Sequence, residues 1–181
     1  MCIRDRANAV LPLVPSVIDA VGGVPVVAAG GIADGRGVAA VLMLGAEGVW
    51  LGTRFVASLE ATTAEWAKQQ IVDAAGEDFV LTRVYDIVRE TPFPDDIGER
   101  IMRNDFTAVW HGREDEVQAQ KAALRATLDA ASKAGERGLA RVLAGNSAGL
   151  VHGIEPAAEI VRRLVAEAEA ILRSRPGDVL R

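Results

Sequence analysis

The sequence predicts an α/β fold built on parallel strands, and three observations carry this reading. Two short apolar runs, residues 24–29 (VPVVAA) and 47–51 (EGVWL), have the near-continuous apolar character of strands buried on both faces. A helix-length segment, residues 36–44, lies between them, so 24–52 forms one strand–helix–strand unit of about 30 residues. Each run is followed at once by glycine, as Gly30-Gly31 and as Gly52-Thr53.

The elements follow in order. Residues 11–21 form a helix, because Leu13, Val14, Val17, Ile18 and Val21 recur at spacings of three and four, and Gly22-Gly23 stops it. After the first strand, Gly30 to Gly35 is a loop in which Asp34 stands ready to cap the next helix, and that helix ends at Gly45. Beyond the second strand the pattern changes. A helix is expected over 63–75, an alternating strand over 79–85 (FVLTRVY), and a proline-broken connection over 91–96. A long helix spans 114–134, and its acidic start, Glu114-Asp115-Glu116, suits the positive end of a helix. A glycine-bearing loop over 145–153 leads to a terminal helix over 156–173 with Pro156 in its first turn. Its buried stripe is expected to be Ile160, Leu164, Val165, Ala168, Ile171 and Leu172, with Arg162-Arg163 on the solvated side.

Composition narrows the function. The 181 residues are half apolar and a quarter charged, which describes a globular chain rather than a disordered one. The net charge is −5 with no basic stretch, so a nucleic-acid partner finds no electrostatic footprint. The single cysteine, Cys2, excludes a disulfide framework and a cysteine-ligated metal site. No apolar run reaches membrane-spanning length, and a cytoplasmic location is expected. The two histidines, His111 and His152, have no cysteine or carboxylate at ligand spacing. His111 sits where a helix ends and His152 in a loop, so neither is expected to be catalytic.

The chemistry lies at the two strand ends. Ligands of parallel sheets sit beyond the C-terminal ends of the strands, and the last two strands of many (β/α)₈ barrels hold a phosphate there. Glycine lets backbone N–H groups approach an anion with no Cβ in the way. Gly30-Gly31 and Gly52-Thr53 supply that device twice across one unit, and the Thr53 hydroxyl adds a donor. No G-x-x-x-x-G-K-[ST] run and no G-x-G-x-x-G follows a strand, which excludes a P-loop and disfavours a dinucleotide fold. A closed barrel needs eight strands and about 250 residues. The fold expected is therefore the C-terminal part of a (β/α)₈ barrel with additional C-terminal helices, its N-terminal strands missing. The expected boundaries are 1–8 as a junction leader, 9–58 as the last strand–helix units of the barrel, and 59–181 as a mostly helical extension.

The segment PVVAAGGIADGRGVAAVLMLGAEGVWLGTRFVAS, with Arg103-Asn104-Asp105-Phe106 and Ala144-Gly145-Asn146-Ser147-Ala148-Gly149-Leu150, closely resembles the nitronate monooxygenases. These are FMN enzymes on a (β/α)₈ barrel. The resemblance implies that Gly31 and the run Trp50-Leu51-Gly52-Thr53 contact FMN, chiefly its phosphate, with Gly30 an adjacent candidate. Family members more often carry other residues where Trp50 stands, so its contact would run through backbone. The loop at Asn146 more commonly begins with glutamine and is expected near the flavin. The family's catalytic histidine follows glycine in a loop matching Met1–Arg6 or the sequence before it, and no Gly-His pair stands there. No catalytic residue is therefore expected in this chain, which would be inactive alone. The implied reaction is FMN-dependent oxidation of alkyl nitronates by O₂. Two alternatives stay open: an NAD(P)H-dependent FMN reductase of quinone or enoyl type, and a flavin-free phosphate-binding barrel.

Overall fold

The computed structural model describes residues 4–5 and 9–180. The expected leader at 1–8 lies outside the described residues except for the backbone of a two-residue strand, β1 (Arg4–Asp5). The chain forms two compact units. One comprises Glu77–Ala144 with β1; the other comprises residues 9–76 and the chain from Gly145 onward. The boundary expected at 58/59 falls inside the second unit.

That second unit holds the strand–helix–strand motif. Helix α1 (Val10–Val21) ends at Gly22, which adopts φ 48° and donates its N–H to Ile18 O. Strand β2 (Val27–Ala29) pairs in parallel with β3 (Gly48–Trp50), in the register Val27↔Gly48, Ala28↔Val49, Ala29↔Trp50. Between them, α2 (Gly35–Met43) is capped by Asp34, whose carboxylate accepts the Gly37 N–H at 3.0 Å. Helix α3 (Thr53–Val56) is a single turn, and α4 (Glu65–Asp73) follows. The terminal helix α8 (Ala157–Val179) lies against α2. A Cβ on Gly35 would stand 2.2 Å from the Glu167 Cβ and 2.7 Å from the Ala168 nitrogen, so only glycine permits this approach. Val38, Ala39 and Val41 of α2 join Ala28, Ile160, Leu164 and Ala168 in the core.

Both strands are shorter than expected, and neither is buried on both faces. Successive side chains point to opposite sides of a strand. Ala28 faces the core beneath α2 and α8, whereas Val27 is 54% exposed and Trp50 68% exposed. Among the described residues the two strands pair only with each other, and the helices cover one face. In α8 the stripe is narrower than expected: Ile160, Leu164 and Ala168 are buried, Ile171 and Leu172 are partly buried, and Val165 is exposed.

In the other unit, β4 (Phe79–Thr82) pairs antiparallel with β5 (Gly98–Met102), and β5 pairs with β1. The strand expected over 79–85 stops at Thr82. Val84, Tyr85 and Val88 instead form the buried stripe of α5 (Val84–Arg89). A short apolar run satisfies either period, and helical packing decided this one. Strand β5 escapes sequence reading because it carries Glu99 and Arg100. Glu99 is buried, and its carboxylate accepts two hydrogen bonds from Arg141 Nε, at 2.9 and 3.1 Å. Helix α6 (Asp105–Trp110) starts at Asn104 with a capping box and ends at His111, whose N–H bonds Thr107 O. The Asn104 amide also donates to Tyr85 Oη (2.9 Å) and Ala140 O (2.8 Å). Burial pushes the Tyr85 phenol up to about 12, so it stays protonated and donates to Leu139 O at 2.9 Å. The long helix α7 (Glu114–Ala134) closes this core through Val117 and Leu128.

Candidate functional site

The parallel register sets the geometry of the site. Ala29 and Trp50 are paired as the last residues of β2 and β3, so the two glycine turns leave the same edge of the sheet at the same level. Neighbouring strands lie about 4.7–4.9 Å apart. Gly30 and Gly31 adopt φ 100° and 71°, a region that side chains rarely enter. A Cβ on Gly31 or on Gly52 would meet nothing within 4 Å, so open space lies in front of both backbones. Gly30 is more enclosed, with Val10 Cγ2 3.4 Å from its would-be Cβ. Gly52 sits at the N-cap of α3, where its carbonyl accepts the Phe55 and Val56 N–H groups at 2.9 and 3.0 Å, and the earlier amides of the turn lie too near the helix start for an intrahelical partner. Leu51, Gly52 and Thr53 are half-buried. The Trp50 side chain is largely exposed. A single helical turn adds little macrodipole, so what this turn can offer an anion is its individual amides.

Thr53 has a second tie. Its Oγ1 accepts the Gly145 N–H at 2.8 Å, and the hydroxyl proton is left to donate elsewhere. The 145–150 loop, a 3₁₀ turn over Asn146–Leu150, is thereby fastened to the second glycine turn. A Cβ on Gly149 would come within 3.3 Å of the Gly76 nitrogen, a close approach that a larger residue would strain. The sequence links this loop to the site through the family resemblance alone. The structure adds a hydrogen bond between them.

Arg54 and Glu155 escape sequence reading. Arg54 directly follows Thr53 and is 1% exposed. Its guanidinium donates to Gly153 O at 3.1 Å, to Ala57 O at 3.4 Å, and to the Glu155 carboxylate. Arg163 also donates to Glu155, at 2.7 Å from Nη2 to Oε2. That hydrogen bond, with the nearby positive charges, holds the Glu155 carboxyl below the usual carboxylate range. Arg162 is solvated as expected, whereas Arg163 is half-exposed and tied to Glu155. The one available signal was an arginine inside an apolar stretch, TRFVAS. His152 is exposed, and with Asp34, Glu155, Arg163 and Glu167 it lines a cleft of about 500 Å³. The acids and arginines of that cleft are already paired with one another.

The comparisons with known proteins agree with one another. The nitronate monooxygenase npaC of Metarhizium robertsii is 39% identical over 181 residues, covering 94% of this chain and 49% of that protein. A probable nitronate monooxygenase of Staphylococcus aureus is 44% identical over 75 residues, 41% of this chain and 21% of that one. Among solved structures, FabK from Thermotoga maritima superposes with a TM-score of 0.73 at 30% identity, covering 96% of this chain and 53% of its own. The nitroalkane oxidase of Streptomyces ansochromogenes superposes with a TM-score of 0.72 at 31% identity, covering 92% and 45%. The chain spans about half the length of npaC and of these two structures. The family model for nitronate monooxygenase matches residues 3–167, which takes in both glycine turns, the Asn104 cap and the 145–150 loop, and this chain belongs to the nitronate monooxygenase family.

Proposed function

We propose that this chain supplies the FMN phosphate site of an enzyme that oxidises alkyl nitronates with O₂, and that it forms the C-terminal part of a (β/α)₈ barrel with additional helices. The observation that supports the site is the Ala29↔Trp50 register, from which both glycine turns start at the same level, with open space before Gly31 and Gly52. Backbone N–H groups of Gly31, Gly52 and Thr53, with the Thr53 hydroxyl, fit a phosphate without any cationic side chain. Gly30 shapes the first turn, and Trp50 and Leu51 contribute backbone. The exposure of Val24, Val27 and Trp50 supports the barrel reading, because further parallel strands would cover such a face.

Bound there, FMN would supply the redox chemistry, and the protein's part is to hold and orient it. The chain's residues grip the phosphate end, which fixes where the rest of the molecule pivots. Neither histidine is assigned a proton-transfer role: His111 closes α6, and His152 is exposed in its loop. Among the described residues no helix is long and apolar enough to cross a membrane. The enzyme to which this chain contributes acts on a small molecule in the cytoplasm.

The test is FMN retention by equilibrium dialysis. Gly31→Val and Gly52→Val are expected to abolish binding, since a branched side chain would occupy the space where phosphate meets the amides, and at Gly31 it would also strain a backbone of φ 71°. Thr53→Ala is expected to weaken binding less, by about 1–3 kcal/mol for one hydrogen bond to a charged acceptor. Unchanged FMN content in both glycine variants would overturn the assignment.

A further inference from the structure

We infer that Glu155 is a positioning residue for the phosphate turn, acting through the buried Arg54, and that residues 145–155 form a clasp setting the direction of the Gly52-Thr53 amides. This rests on the FMN phosphate reading above. The clasp closes at two points on adjacent residues. At one, Thr53 Oγ1 accepts the Gly145 N–H at 2.8 Å, and a Cβ on Gly145 would stand 3.3 Å from that oxygen. At the other, Arg54 reaches Gly153 O at 3.1 Å and the Glu155 carboxylate. The Leu59 N–H then bonds Glu155 O at 3.0 Å, and Ser58 bridges to Glu155 in parallel, so 53–59 and 145–155 are joined along their length. Glu155 is itself held from behind by Arg163 of α8.

Stability alone is a poor reason for such an arrangement. A buried ion pair seldom outperforms apolar packing of the same volume, whereas it does fix geometry, because the guanidinium fork accepts few orientations. Arg54 ties its own turn, through Ala57 O, to Gly153 O and to Glu155, and that turn begins at the Gly52 N-cap with open space before it. A first turn free to rotate would still fold but would present its amides poorly to an anion.

The probe is FMN itself, titrated into the chain with Glu155 and with Glu155→Gln, together with inorganic phosphate as competitor and the ³¹P resonance of bound FMN. Glu155→Gln keeps the shape and removes the charge. The expected result is a roughly tenfold weaker FMN affinity, an equal loss for inorganic phosphate, and a displaced ³¹P resonance for the FMN that remains bound. A merely structural role lowers the folded fraction without moving that resonance. Arg163→Ala, at a half-exposed position, should give the same changes in smaller measure and serves if Glu155→Gln does not fold. Unchanged FMN affinity and an unmoved resonance in a folded variant would overturn the clasp. If phosphate fails to displace FMN from the unsubstituted chain, the phosphate-site reading itself falls, and the inference with it.

Discussion

Glu155 illustrates what single residues do here and how they escape a linear reading. Its carboxyl accepts from Arg163 and Arg54, and those bonds lower its pKa on folding. A carboxyl whose folded pKa lies below its unfolded value contributes stability above the unfolded pKa, near 4.5, and loses it as pH falls through the folded value. Asp34 acts in the same direction: burial opposes the charge, but the Gly37 N–H and Arg36 outweigh it. Urea midpoints measured from pH 6 downward should therefore fall below about pH 4.5, and Glu155→Gln should remove part of that slope. An identical slope in the variant would show that the pair adds nothing. The local roles were legible: Asp34 as a cap, Gly22 as a stop and His111 at a helix end each depend on residues within four positions. Arg54 was not, because its partner lies 101 positions away and nothing in TRFVAS points to it.

Among elements, those with one unambiguous period were read well and those with mixed signals were not. The apolar spacing of α1 and α8 identifies both as helices, whereas α2 and α7 are marked by their flanking cap and charge signals. The FVLTRVY run suits a strand to Thr82 and a helix from Val84, and the boundary is set by packing of Val84, Tyr85 and Val88 against Phe106, Val117 and Leu128. Strand β5 is hidden because its buried Glu99 is neutralised by Arg141, from outside its own stretch. The α2–α8 contact yields a sharp prediction. Gly35→Ala would force a Cβ into the Glu167 side chain and the Ala168 backbone, and would disturb the Gly35 N–H bond to Glu167 Oε2 at 3.0 Å. Overpacking of this kind costs about 1–3 kcal/mol. A denaturation midpoint equal to that of the unsubstituted chain would show that α8 moves aside freely.

At the scale of the whole molecule, the family and the α/β class were legible because the strand–helix–strand unit is local and its glycines recur at strand ends. The burial of those strands was not, since it depends on what lies beside them: helices cover the Ala28 face and leave Val27 and Trp50 exposed. The division into units was hidden for a similar reason, because α8 returns to α2 across more than a hundred residues. One anion site built jointly from the two glycine turns of this unit is the core of the proposed function. Hydrogen-exchange mass spectrometry tests it most directly, comparing the chain alone, with FMN, and with riboflavin, which lacks the phosphate. FMN should slow exchange together in peptides covering residues 30–34 and 51–56, with α7 unaffected, and riboflavin should leave both turns unprotected. Protection of only one turn, or equal protection by riboflavin, would contradict the account.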